Sequence, residues 1–190
     1  MKYKALLISA GLLLATLSVG AQENTKPVIK PVQFSIGIQP GFKPILFNEF
    51  NQYAWDINIL PFTFEYAMDR HWALRVHTIW DVEVRPENYP TVSATIGFEI
   101  AAPFHLSLKN SEEGHRGFFI APVFSPGYNI LNKYYLIGLG GEAGFALLFG
   151  NKWTINISAQ VGFQMQKYPN DRFIRYIPYS IPVITLARWL

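Results

Sequence analysis

Charged and titratable side chains recur at every second or fourth position through one stretch of the chain: Arg75, His77, Asp81, Glu83 and Arg85. On an extended backbone, where successive side chains point to opposite faces, all five share one face. Held together where water is scarce, such groups could move protons or bind a cation, or could pair with one another as a structural network. A second candidate is His105-Leu106-Ser107. There an imidazole could serve as base and a hydroxyl as nucleophile in acyl transfer. A third is the stretch KNSEEGHRG, 109–117, with Glu112, Glu113 and His115. Its spacing matches no metal-ligand set, so it is expected to be a solvated charged turn holding no metal. There is no G-x-S-x-G, no P-loop and no Gly-rich dinucleotide motif following a strand into a helix, and no cofactor is expected. The lack of cysteine excludes a disulfide framework, a Cys-based zinc site and a thiol nucleophile.

The elements that must position these residues read almost entirely as strands. With 190 residues, 50% of them hydrophobic and only 15% charged, the chain is neither disordered nor long enough for a second catalytic domain. Lys2 and Lys4 precede an apolar run from Ala5 to Leu17, followed by Ser18-Val19-Gly20-Ala21. Residues 1–21 are therefore expected to be a cleaved secretory signal peptide, the run being too short to span a bilayer as a helix. Its removal takes away two lysines, so the basic pI of about 9.1 is no argument for a nucleic-acid partner. Residues 22–31 read as a short polar lead-in and 32–190 as one domain.

From residue 32 the period is two, broken by Pro, Asn, Gly and Asp, and predicts eight strands: 32–39, 54–67, 72–85, 91–104, 117–126, 134–149, 153–166 and 174–188. The segment 153–166 is the clearest. Trp153, Ile155, Ile157, Ala159, Val161, Phe163 and Met165 alternate with Thr154, Asn156, Ser158, Gln160, Gly162, Gln164 and Gln166. Pro61, Pro122 and Pro182 are expected to mark bulges or kinks. Turns at 68–71, 105–116 and 150–152 share one end with both termini. Loops at 40–53, 86–90, 127–133 and 167–173 occupy the other.

Alternation also fits a soluble sandwich or a lipocalin-like carrier, so the contents of the two faces must decide. The lysines after the signal peptide, Lys26, Lys30, Lys43, Lys109, Lys133, Lys152 and Lys167, all fall outside the predicted strands, whereas a water-facing strand surface normally recruits Lys. The polar face is instead Gly, Ser, Thr, Asn and Gln with scattered charges, as a crowded lumen would be. The lumen charge cluster is expected to comprise Asp56, Glu65, Arg75, His77, Asp81, Glu83, Arg85, Glu99 and Glu142, paired so as to plug the barrel. Trp55, Trp72, Trp80, Trp153 and Trp189 fall near strand ends, where indoles anchor at a membrane interface in two girdles.

The hairpins ILPFTFEYAMDRHWALRV (59–76) and GGEAGFALLFGNKWTINISAQVGF (140–163) resemble those of small outer-membrane β-barrel proteins of Bacteroidota, many of unknown function. The architecture is similar to the OmpA membrane domain and OmpX. Such barrels often end on an aromatic residue read by the insertion machinery, whereas this chain ends Arg188-Trp189-Leu190. The resemblance implies an all-β, eight-stranded antiparallel up-and-down transmembrane barrel in a Gram-negative outer membrane, with both termini periplasmic. It implies a monomer whose partners are outer-membrane lipid, lipopolysaccharide and the barrel-insertion machinery. The His-x-Ser pair resembles that of lipid A deacylases of the PagL type, but it falls at the periplasmic turn and no Glu follows Ser107 about a dozen residues on. The expected function is therefore non-enzymatic, a porin-like wall element or small surface-binding module of the cell envelope with a plugged polar lumen. A lipid-modifying enzyme and a soluble periplasmic carrier are the alternatives.

Replacing Ile157 with Arg separates the membrane barrel from the carrier. On a lipid-facing wall at mid-depth the charge should cost about 2–4 kcal/mol and impair insertion, read as less folded protein in lipid vesicles. A soluble chain that folds in water and merely loses core packing on this change would contradict the barrel.

Overall fold

The computed structural model describes residues 33–45, 54–69, 71–84, 93–106, 114–150, 152–169 and 173–190. The expected signal peptide and lead-in, and Arg85, Ser107, Glu112 and Glu113, lie outside the described residues.

Eleven strands follow in order: β1 Gln33–Ile38, β2 Phe42–Ile45, β3 Ala54–Asn58, β4 Phe62–Ala67, β5 Ala73–Val84, β6 Ser93–Ala101, β7 Phe104–His105, β8 Gly117–Asn129, β9 Tyr134–Phe149, β10 Trp153–Lys167 and β11 Arg175–Trp189. Three pairs continue one another across short breaks, β1 with β2, β3 with β4, and β6 with β7. The wall therefore has eight staves, each antiparallel to the next in chain order. The eighth stave returns to the first through four residue pairs, from Ser35 with Trp189 to Ile38 with Leu186, and the sheet closes into a barrel. Leu190 N–H donates to Phe34 O at 2.8 Å at the foot of that seam. The observed staves match the predicted segments closely, and no helix occurs among the described residues.

Alternation sends the faces to opposite destinations. On β10, Thr154, Asn156, Ser158 and Gln160 are buried inside, while Ile157 and Val161 stand 53% and 58% exposed outside. On β5, Arg75, His77 and Asp81 point in, while Leu74 and Trp80 point out. Phe34, Phe64, Phe98, Phe118, Phe145 and Ile184 carry the same apolar exterior around the other staves. A soluble lipocalin-like carrier needs the reverse, so that alternative is not favoured. The interior is less uniformly polar than expected. Phe119, Ala121 and Val123 on β8 and Ile181 and Val183 on β11 also turn inward and are buried.

The breaks have local causes. Between Asn58 and Phe62 the second stave carries one more residue than its neighbours, since Asn58 pairs with Asp81 but Thr63 with His77. This bulge at Ile59-Leu60-Pro61 realises the expectation for Pro61. Side chains replace the missing ladder there. Asn58 Nδ2 donates to Thr78 O at 2.8 Å, Asn58 Oδ1 accepts from Leu60 N–H and Trp80 N–H, and Thr78 Oγ1 donates to Leu60 O.

Pro122 and Pro182, by contrast, sit within unbroken strands. The even residues of β8 face the fourth stave, as shown by the bonds Leu106 N–H to Phe118 O and Ala102 N–H to Pro122 O. Pro126 falls opposite Phe98 in the register of Gly97 with Gly127 and Ile100 with Phe124, and Pro122 falls opposite Ala102. Pairing lapses at those positions, so the interruption appears on the partner stave, between Ala101 and Phe104. On β11, Trp189 N–H turns to Lys152 O and Leu190 N–H to Phe34 O, so even residues face the first stave. Pro178 and Pro182 lie beyond Leu186, where the described pairing with that stave has ended, and their missing N–H groups break no rung.

Two lysines depart from expectation, Lys43 lying within β2 and Lys167 ending β10. Lys133 and Lys152 are turn residues with positive φ. Space requires glycine at position 144 on the inner face. Gly144 faces Phe119 and Ser158, and a Cβ there would collide with both.

Candidate functional site

The lumen holds its ionisable residues in two layers. The lower layer, near the end that carries the C-terminus, centres on Arg75, which β5 projects inward from near the start of the third stave. Its Nε donates to Glu65 Oε2 at 3.0 Å and its Nη1 to Glu142 Oε1 at 3.0 Å, so the guanidinium spans from the second stave to the sixth. The ring of Phe119 packs beneath it, 5.2 Å from the guanidinium carbon. Glu142 also accepts from Ser158 Oγ at 2.6 Å and from Gln160 Nε2 at 3.4 Å, and Gln160 Nε2 donates to Glu99 Oε1 at 2.9 Å. Two carboxylates thus share one guanidinium and a rim of hydroxyl and amide donors, which is the form in which charges persist in a dry interior.

The upper layer is anchored to the bulge. His77 lies between Phe62 and Asn58. Because a carbonyl only accepts, Nδ1–H donates to Phe62 O at 3.1 Å, and Nε2 accepts from Asn58 Nδ2 at 3.0 Å. Asp81 and Glu99 are buried close by. A cavity of about 20 Å³, lined by His77, Asp81, Glu99 and Gln160, reaches the wall at Gln39-Pro40-Gly41 and Ile181-Pro182-Val183. That is room for about one water, too little for an organic solute. Asp56 and Glu83 are registered against each other at the far end, each half-buried.

Of the predicted lumen cluster, Glu65, Arg75, His77, Asp81, Glu99 and Glu142 are therefore buried inside the barrel. Asp56 and Glu83 stand nearer its mouth, and Arg85 lies outside the described residues. Of the predicted girdle, Trp72, Trp80 and Trp153 are exposed on the outer wall, while the side chain of Trp55 is not among those described. Trp153 lies under the Arg188 guanidinium, 5.8 Å from its ring centre.

Trp189, expected at the membrane interface, lies inside instead. It is only 2% exposed, points inward in step with Thr185 and Ala187, and donates its indole N–H to Thr154 Oγ1 at 3.0 Å. Gly114, at φ +146, lies flat against that indole where any Cβ would clash.

Two residues expected in a turn also lie inside. His105 belongs to β7 and is 1% exposed, and His115 just before β8 is 4% exposed. Their rings stack with centroids 4.5 Å apart, and His115 Nδ1 lies 3.8 Å from Glu65 Oε1. The parity that turns Glu99 inward turns Ala101, Pro103 and His105 inward as well, so the alternation did carry a signal for His105. With its ring in the lumen, His105 cannot face lipid as a deacylase base would.

No protein-family model matches the chain, and no curated protein matches it. Among solved structures, the fold is similar to that of the outer membrane protein AlkL, determined by solid-state NMR in DMPC lipid bilayers. The match has 8% identity and a TM-score of 0.46, and covers 89% of this chain and 97% of that one.

Replacing Arg75 with Met leaves Glu65 and Glu142 buried without their cation, and should cost about 3–5 kcal/mol in urea unfolding from lipid vesicles. Adding Glu65→Gln and Glu142→Gln to the same chain should recover most of that loss. A single Arg75→Met variant as stable as the parent would show that the ion pairs do not hold the barrel.

Proposed function

We propose that this chain is an integral outer-membrane barrel with no catalytic role, a wall element or small surface-binding module of the OmpA-membrane-domain and OmpX kind. The observation that supports this most strongly is the inverted burial of its two faces. Glu65, Arg75, Glu142 and Gln160 are enclosed, while large apolar side chains cover the exterior of every stave, Phe34, Phe64, Leu74, Phe98, Phe118, Leu139, Ile157 and Ile184 among them. Soluble monomers rarely expose apolar patches beyond a few hundred Å², and a closed sheet leaves no strand edge unsatisfied in hydrocarbon. Trp72 and Trp153, outward near the end that carries the C-terminus, suit an interfacial girdle.

In this reading both termini are periplasmic, the neighbours are outer-membrane lipid and lipopolysaccharide, and insertion machinery places the chain as a monomer. The inward indole of Trp189 is flanked by the exposed residues Arg188 and Leu190. The filled lumen favours a closed wall over a diffusion pore, since an eight-stranded barrel has an interior about wide enough for its own side chains. A lipid-modifying enzyme is disfavoured by the enclosure of His105.

Cells expressing the chain should yield it in the outer-membrane fraction, with a gel mobility in detergent that shifts on boiling. The same protein in planar bilayers should show no steady conductance. Release by osmotic shock with unchanged mobility would contradict membrane placement, and stable open channels would contradict the closed lumen.

A further inference from the structure

We propose that Glu65, His105 and His115 form a binding site for one divalent transition-metal ion of the zinc class inside the barrel. One carboxylate oxygen of Glu65 and one nitrogen from each ring lie within 4.8 Å of one another, and all three residues are buried. Two imidazoles and a carboxylate suit zinc, copper or nickel better than calcium or magnesium, which take oxygen ligands.

The hydrogen bonds around the rings suit a bound cation. His115 donates Nε2–H to Asp69 O at 2.8 Å, which leaves Nδ1 as the lone-pair nitrogen. That lone pair faces Glu65 Oε1 at 3.8 Å, acceptor toward acceptor, and Nδ1 has no hydrogen-bond partner. His105 has no partner at either ring nitrogen although it is 1% exposed. Buried polar groups are rarely left so. A proton on His115 Nδ1 would relieve the first conflict but leave His105 unsatisfied. One metal ion removes the first conflict and also takes up one of the two ring nitrogens of His105.

The surroundings of His115 are built as a metal-binding histidine requires. A ligating imidazole usually gives its other N–H to a carbonyl or carboxylate, which fixes its tautomer and direction, and Asp69 O plays that part for His115. The carbonyl is itself held by a tight turn, in which Asp69 Oδ1 accepts from His71 N–H and Trp72 N–H, each at 2.7 Å. His71 fixes the backbone of His105 from both sides, donating Nδ1–H to His105 O at 2.8 Å and accepting His105 N–H at 2.7 Å. Glu65 and Glu142 with Arg75 make two negative charges against one positive, so a dication enters a net negative neighbourhood.

A tetrahedral ion with bonds of about 2.0–2.1 Å sets its ligand atoms roughly 3.3 Å apart. The rings are 19° from parallel, so one must turn out of the stack for both nitrogens to point at a single ion. His105, with no hydrogen bond to its ring, is the one that turns. Three protein ligands leave the fourth position to water. The ion would tie the second stave to the fourth and to the start of the fifth.

The test is a zinc titration of the full chain, purified in detergent without a polyhistidine tag and stripped by chelator. One zinc should bind per chain and raise the unfolding temperature, and cobalt in its place should give the intense visible bands of a tetrahedral site. His105→Ala and His115→Ala should each weaken binding by at least about 100-fold, more than the loss of a supporting outer contact usually does. His77→Asn, in the upper layer, should leave it unchanged. No stoichiometric zinc, or undiminished zinc binding in the His105→Ala and His115→Ala variants, overturns the site. Should those variants fail to fold, cobalt on the unaltered chain decides, because weak six-coordinate bands alone would also overturn it.

Discussion

Closing eight antiparallel staves on themselves leaves each side chain two destinations, the lumen or the outer wall, and strand alternation decides between them. Everything else in the structure depends on that constraint. A charge on the inner parity must find its partners within the width of the barrel, and a large apolar residue on the outer parity has no protein to cover it. Arg75 meets the first requirement through Glu65, Glu142 and Phe119, contacts drawn from three other staves. Close approach needs missing side chains as well, and Gly144 leaves the space that Phe119 and Ser158 occupy.

Much of this architecture is legible in the sequence because the signal repeats over long strands. The alternation in 153–166 is unbroken, and its register against β9 and β11 runs without a slip. Inner and outer faces of β5 and β10 follow directly. Pro61 marks a real bulge because the residues beside it, Asn58 and Thr78, carry side chains able to replace the ladder. Pro122 and Pro182 mislead because the effect of a proline in a closed sheet depends on which neighbour its missing N–H would have faced. That direction is a property of register, and register is not written in any single strand.

The lower end of the lumen is the part that sequence reading misses, for a physical reason. His105, His115 and Trp189 flank turns or the terminus, where a short motif looks solvated, and only closure of the barrel folds them over one another. There the His115 ring meets the Trp189 indole edge-on at 5.6 Å and the His105 ring at 4.5 Å. Tryptophan near a strand end predicts an interfacial anchor only if its parity is outward, as for Trp72 and Trp153. On β11 the odd residues point in, and Trp189 caps the lumen. The mixed interior follows the same rule, since Ile181 and Val183 share that parity and pack inside beside polar neighbours.

Contact between the outer wall and hydrocarbon can be read from a depth profile along one stave. The chain has no cysteine, so single cysteines at Ile155, Ile157, Ala159, Val161 and Phe163 can each carry a fluorophore without background. In vesicles of lipids brominated at defined acyl positions, quenching should be strong at all five. It should be deepest at Ile157 and Ala159 and shallower toward both ends. Fluorophores that stay unquenched by the brominated chains and accessible to aqueous quenchers would contradict the account.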